Sequence, residues 1–98
     1  MKTKVLTAKT SHPQKQTFLI SDLKYIKKRP WPSLVQGEQM QDPIEIIQHS
    51  MSDEVRYGPM GYPYIEKKYS VKKGSSRINY ALENGYTHIE GIIVESYV

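Results

Sequence analysis

Gly74-Ser75-Ser76-Arg77 holds residue types, in a spacing, from which an anion site can be built. Glycine admits a positive φ and lets a ligand or another backbone come close. Serine hydroxyls donate, and a serine can cap a helix. A helix N-terminus adds exposed N–H groups and the positive end of the backbone dipole. Lys72 and Lys73 stand just before the turn, and Arg77 lies within it. Ile78, Ala81 and Leu82 follow at i, i+3, i+4, the spacing of an apolar helix face. Asn84-Gly85 is a helix ending, with glycine suited to the left-handed C′ position. The segment Tyr69–Gly85 is therefore predicted to run strand, glycine turn and capped helix. The turn is not a Walker A loop or a dinucleotide-binding glycine triplet. Capping serines and a surface arginine also describe an ordinary helix start, so the pattern alone leaves both readings open.

Other residues carry weaker chemistry. Arg56, Tyr57, Tyr62 and Tyr64 interleave a base with aromatics, as single-strand nucleic-acid binders do, where stacking supplies about 1–3 kcal/mol per base. The same tyrosines suit a loop packed onto a small core. Trp31, between two prolines, fits either a lid on the core or an exposed partner anchor. His12, His49 and His88 lie far apart in sequence without metal-ligand spacing, and no metal site is expected. His49, Asp53 and Glu54 read as a solvated acidic loop before a cation site. Asp42 and Glu45 read as structural. A Ser/His/Asp triad cannot be argued without geometry, and Gly-x-Ser-x-Gly is absent.

The elements that must position these residues come from the apolar pattern. Residues 1–16 are rich in lysine, threonine and glutamine and read as a flexible basic arm. Residues 17–98 read as one domain. Thr17–Ile20 is a predicted strand. Ser21-Asp22 starts a short helical turn through Leu23, Tyr25 and Ile26, and Ser33–Gln41 holds another. Asp42–Gln48 is a strand with Ile44 and Ile46 on one face. His49–Pro63, with glycine and proline among its tyrosines, is a long loop. Tyr64–Val71 and Thr87–Tyr97 are strands. The fold class is α+β: a small mixed β-sheet with a few short helices.

Composition limits the chemistry. The 98 residues contain no cysteine, which excludes disulfides, thiolate zinc sites and cysteine catalysis and fits an intracellular, cytoplasmic protein. No run approaches the roughly 20 apolar residues of a membrane span, so no membrane partner is expected. The net charge of +4 is uneven. Residues 1–29 carry eight Lys/Arg against one acid, while residues 30–55 carry five acids and no Lys/Arg. A basic arm of this kind meets polyanions or stays solvated.

Taken in order, the motifs resemble the ParB/sulfiredoxin superfamily. Gly74-Ser75-Ser76-Arg77 stands for its Gly-x-x-Arg turn, Ala81 for the inner-face alanine of the helix, and Gly85 for the glycine near the helix end. Ile89–Val94 stands for the last strand, Asp42–Ile47 for the Pro-Ile strand, and Arg29-Pro30-Trp31-Pro32-Ser33 for the Arg-Pro segment entering the same site. The resemblance covers about residues 17–97 and implies that Gly74, Ser75, Ser76 and Arg77 cradle a nucleotide phosphate, with Arg29 approaching from the facing segment. It implies a nucleoside triphosphate with magnesium as cofactor, and nucleotide or nucleic acid as partner. Ser75 and Ser76 stand where sulfiredoxins have their catalytic cysteine and histidine, so sulfinic-acid reduction is excluded. No ParB-type helix-turn-helix follows within the chain. The expected function is phosphate binding at Gly74–Arg77, assisted by Lys72, Lys73 and Arg29. The alternatives are a ParB-like nuclease or nucleotide hydrolase, whose catalytic residues the sequence does not name, and a module that keeps the fold to bind a protein partner.

Overall fold

The computed structural model describes residues 3–27, 29 and 39–98. Nine strands, one 3-10 turn and one α-helix are formed among them. The organising strand is β9, His88–Ser96, the longest among the described residues. Its run Ile89, Ile92, Ile93, Val94 favours extended backbone. Along its first half β9 pairs in parallel with β1, Val5–Ala8, and antiparallel with β2, Gln16–Leu19. Along its second half it pairs in parallel with β5, Ile44–Gln48. β5 in turn pairs antiparallel with β8, Tyr69–Lys73. β3, Leu23–Lys24, runs parallel to β8, and β4, Gln39–Met40, runs parallel to β1. The result is a seven-stranded mixed sheet. A separate antiparallel pair is made by β6, Glu54–Tyr57, and β7, Pro63–Glu66.

The α-helix, α1, spans Ser75–Glu83 and covers one face of the sheet. Ile78 and Ala81 are fully buried against Leu6, Phe18, Met40, Ile44, Ile46 and Ile89. Burying an isoleucine of this kind stabilises by about 1.5–3 kcal/mol. The helix stops as the sequence predicts. Gly85 takes φ 78°, the Tyr86 N–H donates to the Ala81 carbonyl at 2.9 Å, and the Gly85 N–H donates to that of Leu82 at 3.3 Å. These two bonds make a Schellman ending. Leu82, expected on the buried face, is instead 44% exposed. The nine-residue helix touches the sheet along a narrow stripe that Ile78 and Ala81 already fill.

Several sequence expectations are corrected. The basic arm is not a free tail: Val5–Ala8 enters the sheet as β1, and Leu6 is fully buried. Its alternation of Val5, Leu6, Thr7 and Ala8 is a short strand signal masked by the surrounding lysines. After Ile20 the chain makes only a 3-10 turn, Ile20–Asp22, and re-enters the sheet as β3. Leu23 is buried there, and sheet pairing outweighs the weak helical spacing. The expected turn over Ser33–Gln41 lies largely outside the described residues, and of its described part Gln39–Met40 is β4. The long loop His49–Pro63 contains β6, and its glycines and prolines form the turn of a hairpin. The strand expected over Tyr64–Val71 is broken into β7 and β8, with Lys67 and Lys68 between them.

Candidate functional site

Backbone geometry makes the site. Gly74 caps α1 with φ 119° and ψ 14°, a left-handed conformation that L side chains rarely adopt. A Cβ at Gly74 would lie 2.5 Å from Ile44 Cγ2, so glycine is required for packing as well as for φ. No side chain caps the helix. The first helical N–H groups have no intrahelical partner, and the Ile78 N–H, donating to the Gly74 carbonyl at 3.1 Å, begins the ladder.

Ser75, expected with Ser76 as a candidate cap, does something else. Its Oγ accepts from the Ile26 N–H at 3.2 Å. Asn79 Nδ2 donates to the Ile26 carbonyl at 3.1 Å and to the Ser75 carbonyl at 2.7 Å. The first turn of α1 thus grips one residue of the segment leaving β3 by both its backbone groups, three residues before Arg29. A neutral hydrogen bond of this kind contributes about 1 kcal/mol. Ser75→Ala is expected to lower unfolding free energy by about that amount. It should also speed hydrogen exchange at the Ile26 amide while leaving helical circular dichroism unchanged. Loss of helix content instead would show that Ser75 acts as a cap.

Arg77 is buried, 8% exposed, and donates from Nη1 to the Asp42 carbonyl at 2.6 Å. Burial pushes its pKa below the ordinary arginine value, and the nearby Asp42 and Glu45 carboxylates act in the opposite direction. Asp42 Oδ1 accepts from Thr10 Oγ1 at 2.8 Å. Glu45 opposes Lys73 across the β5–β8 pair, while Ile46 opposes Val71. Lys72 is the extra residue of that bulge, a device that re-aims side chains next to sites. Lys73 thereby faces the site, and Lys72 goes to β9, where it hydrogen-bonds and ion-pairs with Glu95. The Glu95 carboxylate holds the Lys72 ammonium above its ordinary pKa, and Lys72 with Tyr97 holds the Glu95 carboxyl below its own.

These groups surround an open pocket of about 740 Å³. Gly74, Ser75, Ser76, Arg77, Lys73 and Arg29 all line it, so the residues nominated for phosphate come together except Lys72. Asp42, Glu45 and His12 line the same pocket, where the sequence pattern gives the two acids only a structural role. Those two sit on the Asp-Pro-Ile-Glu entry to β5, where the apolar alternation reads as a strand and gives no sign of the pocket. The pocket is of mixed charge: Arg29, Lys73 and Arg77 face Asp42 and Glu45.

The remaining candidates lie elsewhere. Arg56, Tyr57, Tyr62 and Tyr64 belong to the separate hairpin and its turn and do not line the pocket. His49 Nε2 is 2.6 Å from Ser70 Oγ, and His88 Nδ1 is 2.7 Å from Thr87 Oγ1. Trp31 lies outside the described residues. Among the described residues no group of three or more His, Asp or Glu is placed to hold a metal ion. Nor is any helix among them long and apolar enough to cross a membrane.

Comparison of the chain with protein-family models, with curated proteins and with solved structures finds no match.

Proposed function

We propose that the chain is a binding module that holds a phosphate group, from a nucleotide or a nucleic-acid backbone, in the pocket at the start of α1. The observation that carries this reading is the convergence of the α1 N-terminus with Lys73, Arg77 and Arg29 on one concave surface. The roles divide by burial and partner. Ser75 is committed to Ile26 and offers its N–H. Ser76 offers N–H and hydroxyl together. Lys73 and Arg29 are exposed and supply charge. Buried Arg77 fixes the turn against β5. The resemblance to the ParB/sulfiredoxin superfamily puts a phosphate turn at these residues, and kinship with that fold is part of the same proposal. Magnesium bound with a nucleotide takes one or two carboxylates and keeps phosphate oxygens and waters as its other ligands. Asp42 and Glu45 are the residues that would hold it.

Titration with CTP, ATP and a short DNA, at low and moderate salt, tests the reading. Lys73→Ala and Arg29→Ala are each expected to weaken binding about five- to tenfold, roughly 1–1.4 kcal/mol, with unfolding free energy unchanged. Absence of binding by the unaltered chain, or binding by both variants as tight as that of the unaltered chain, overturns it.

A nucleotide hydrolase or nuclease is the second reading. It rests on Asp42, Glu45 and His12 sharing the pocket with the phosphate cradle, where one could serve as general base. Release of phosphate or cleavage of DNA in the same titrations with magnesium, lost in Glu45→Gln, would favour it over binding alone.

A further inference from the structure

The β6–β7 hairpin stands as a two-stranded sheet of its own. Its turn is closed by the Gly58 N–H donating to the Tyr62 carbonyl at 3.0 Å and the Gly61 N–H donating to that of Gly58 at 2.9 Å. Val55 opposes Ile65, and Tyr57 opposes Pro63. Side chains alternate across a strand, so these four residues share one face. Glu54, Arg56, Tyr64 and Glu66 share the other. The apolar face is open to solvent: Val55 is 59% exposed, Ile65 54% and Tyr57 72%. At the tip, Met60 and Tyr62 are more exposed still, at 81% and 74%. An isolated two-stranded hairpin is at best marginally stable in water, and an apolar patch of this size marks an interaction surface.

We propose that a second copy of this chain covers that face, the two hairpins packing together across a two-fold axis. Area supports it. An aromatic side chain buries roughly 150–250 Å², so Tyr57 and Tyr62 together offer on the order of 300–500 Å², and the exposed Val55, Met60 and Ile65 add to it. One partner of a standard interface contributes about 800 Å². Charge supports it as well. Residues 57–65 carry no charge at all, and the hairpin's only cation, Arg56, lies on the opposite face, 3.1 Å from Glu54. A nucleic-acid or lipid surface would call for cations at the tip, and none is there. A neutral patch meets its own copy without like-charge repulsion, and a two-fold contact requires a patch that is its own complement. Tyrosine and methionine are enriched, and charge depleted, at the centre of such interfaces. This surface is separate from the pocket, and the proposal stands whatever the pocket binds.

Sedimentation equilibrium over a dilution series of the full chain tests it. The unaltered chain is expected to show a reversible monomer–dimer equilibrium. Tyr57→Ser with Ile65→Ser should raise the dimer dissociation constant at least about tenfold, and Arg56→Ser should change it by less than about twofold. Because the chain has no cysteine, Arg56→Cys carries a single spin label on the opposite face of the hairpin without altering the apolar one. Pulsed dipolar spectroscopy should then read an inter-copy distance shorter than the 46 Å length of one chain, lost on excess unlabelled protein. A chain that stays monomeric at hundreds of micromolar, a dimer unchanged by the apolar-face variant, or labels farther apart than that length each overturns the proposal.

Discussion

Gly74→Ala should lower folding stability by about 2–5 kcal/mol, a large share of the roughly 5–15 kcal/mol available to a domain. Two independent terms add. Alanine at φ 119° adopts a backbone region costing roughly 1–2 kcal/mol. Its Cβ would also stand 2.5 Å from Ile44 Cγ2 and 2.9 Å from Ile44 Cβ. Ile44 is fully buried and cannot step aside, because on its other side Gly91 is packed just as closely. A Cβ at Gly91 would fall 2.9 Å from Ile44 Cγ1. Overpacking of this kind costs about 1–3 kcal/mol. Gly85→Ala is the control: φ is 78° there, but nothing lies within 4 Å of the added carbon. Only the backbone term remains, about 1–2 kcal/mol. Urea unfolding of the three proteins measures the difference. Equal losses at Gly74 and Gly85 would show that Ile44 accommodates the methyl and that close packing does not fix the turn.

Arg77→Ala is expected to cost about 2–4 kcal/mol, because the side chain braces the fold as well as lining the pocket. A hydrogen bond from a charged donor is worth about 1.5–3 kcal/mol, and the buried stem adds apolar packing. Removing it leaves the Asp42 carbonyl without that donor at the entry to β5 and takes the balancing charge from Asp42 and Glu45. Arg77→Lys should recover less than half of the loss, since an ammonium on a shorter reach does not reproduce the guanidinium fork. Chemical denaturation at neutral pH checks both variants, read beside the same titrations used for Lys73→Ala. A stable Arg77→Ala protein that no longer binds would make Arg77 a ligand group alone. An unstable one makes it the brace of the turn.

Much of the site was legible in the sequence. Gly74, the helix stripe Ile78 and Ala81, and the Asn84-Gly85 ending are local signals, each set by the conformational limits of one or two residues. Ile44 and Ile46 likewise announce a strand with one buried face. The hairpin was less legible, because proline and glycine mark a turn as readily as a loop. Only the pairing of Val55 with Ile65 turns the flanking residues into strands. The β1 strand was hidden for a related reason: four residues of alternating pattern among lysines become a strand only when β9 is there to receive them.

What the sequence determined by itself is the α+β class, the helix with its Asn84-Gly85 ending and the place of the glycine turn. All of these follow from φ/ψ preferences and from the spacing of apolar residues along the chain. The tertiary structure decided which side chains share the pocket. A bulge turns Lys73 toward Glu45 and sends Lys72 to Glu95. Ser75 is drawn from helix cap to a grip on Ile26, and Arg77 from surface cation to a buried brace on Asp42. These outcomes depend on strand register and on contacts between residues some 20 to 50 positions apart, and local spacing carries no information about either.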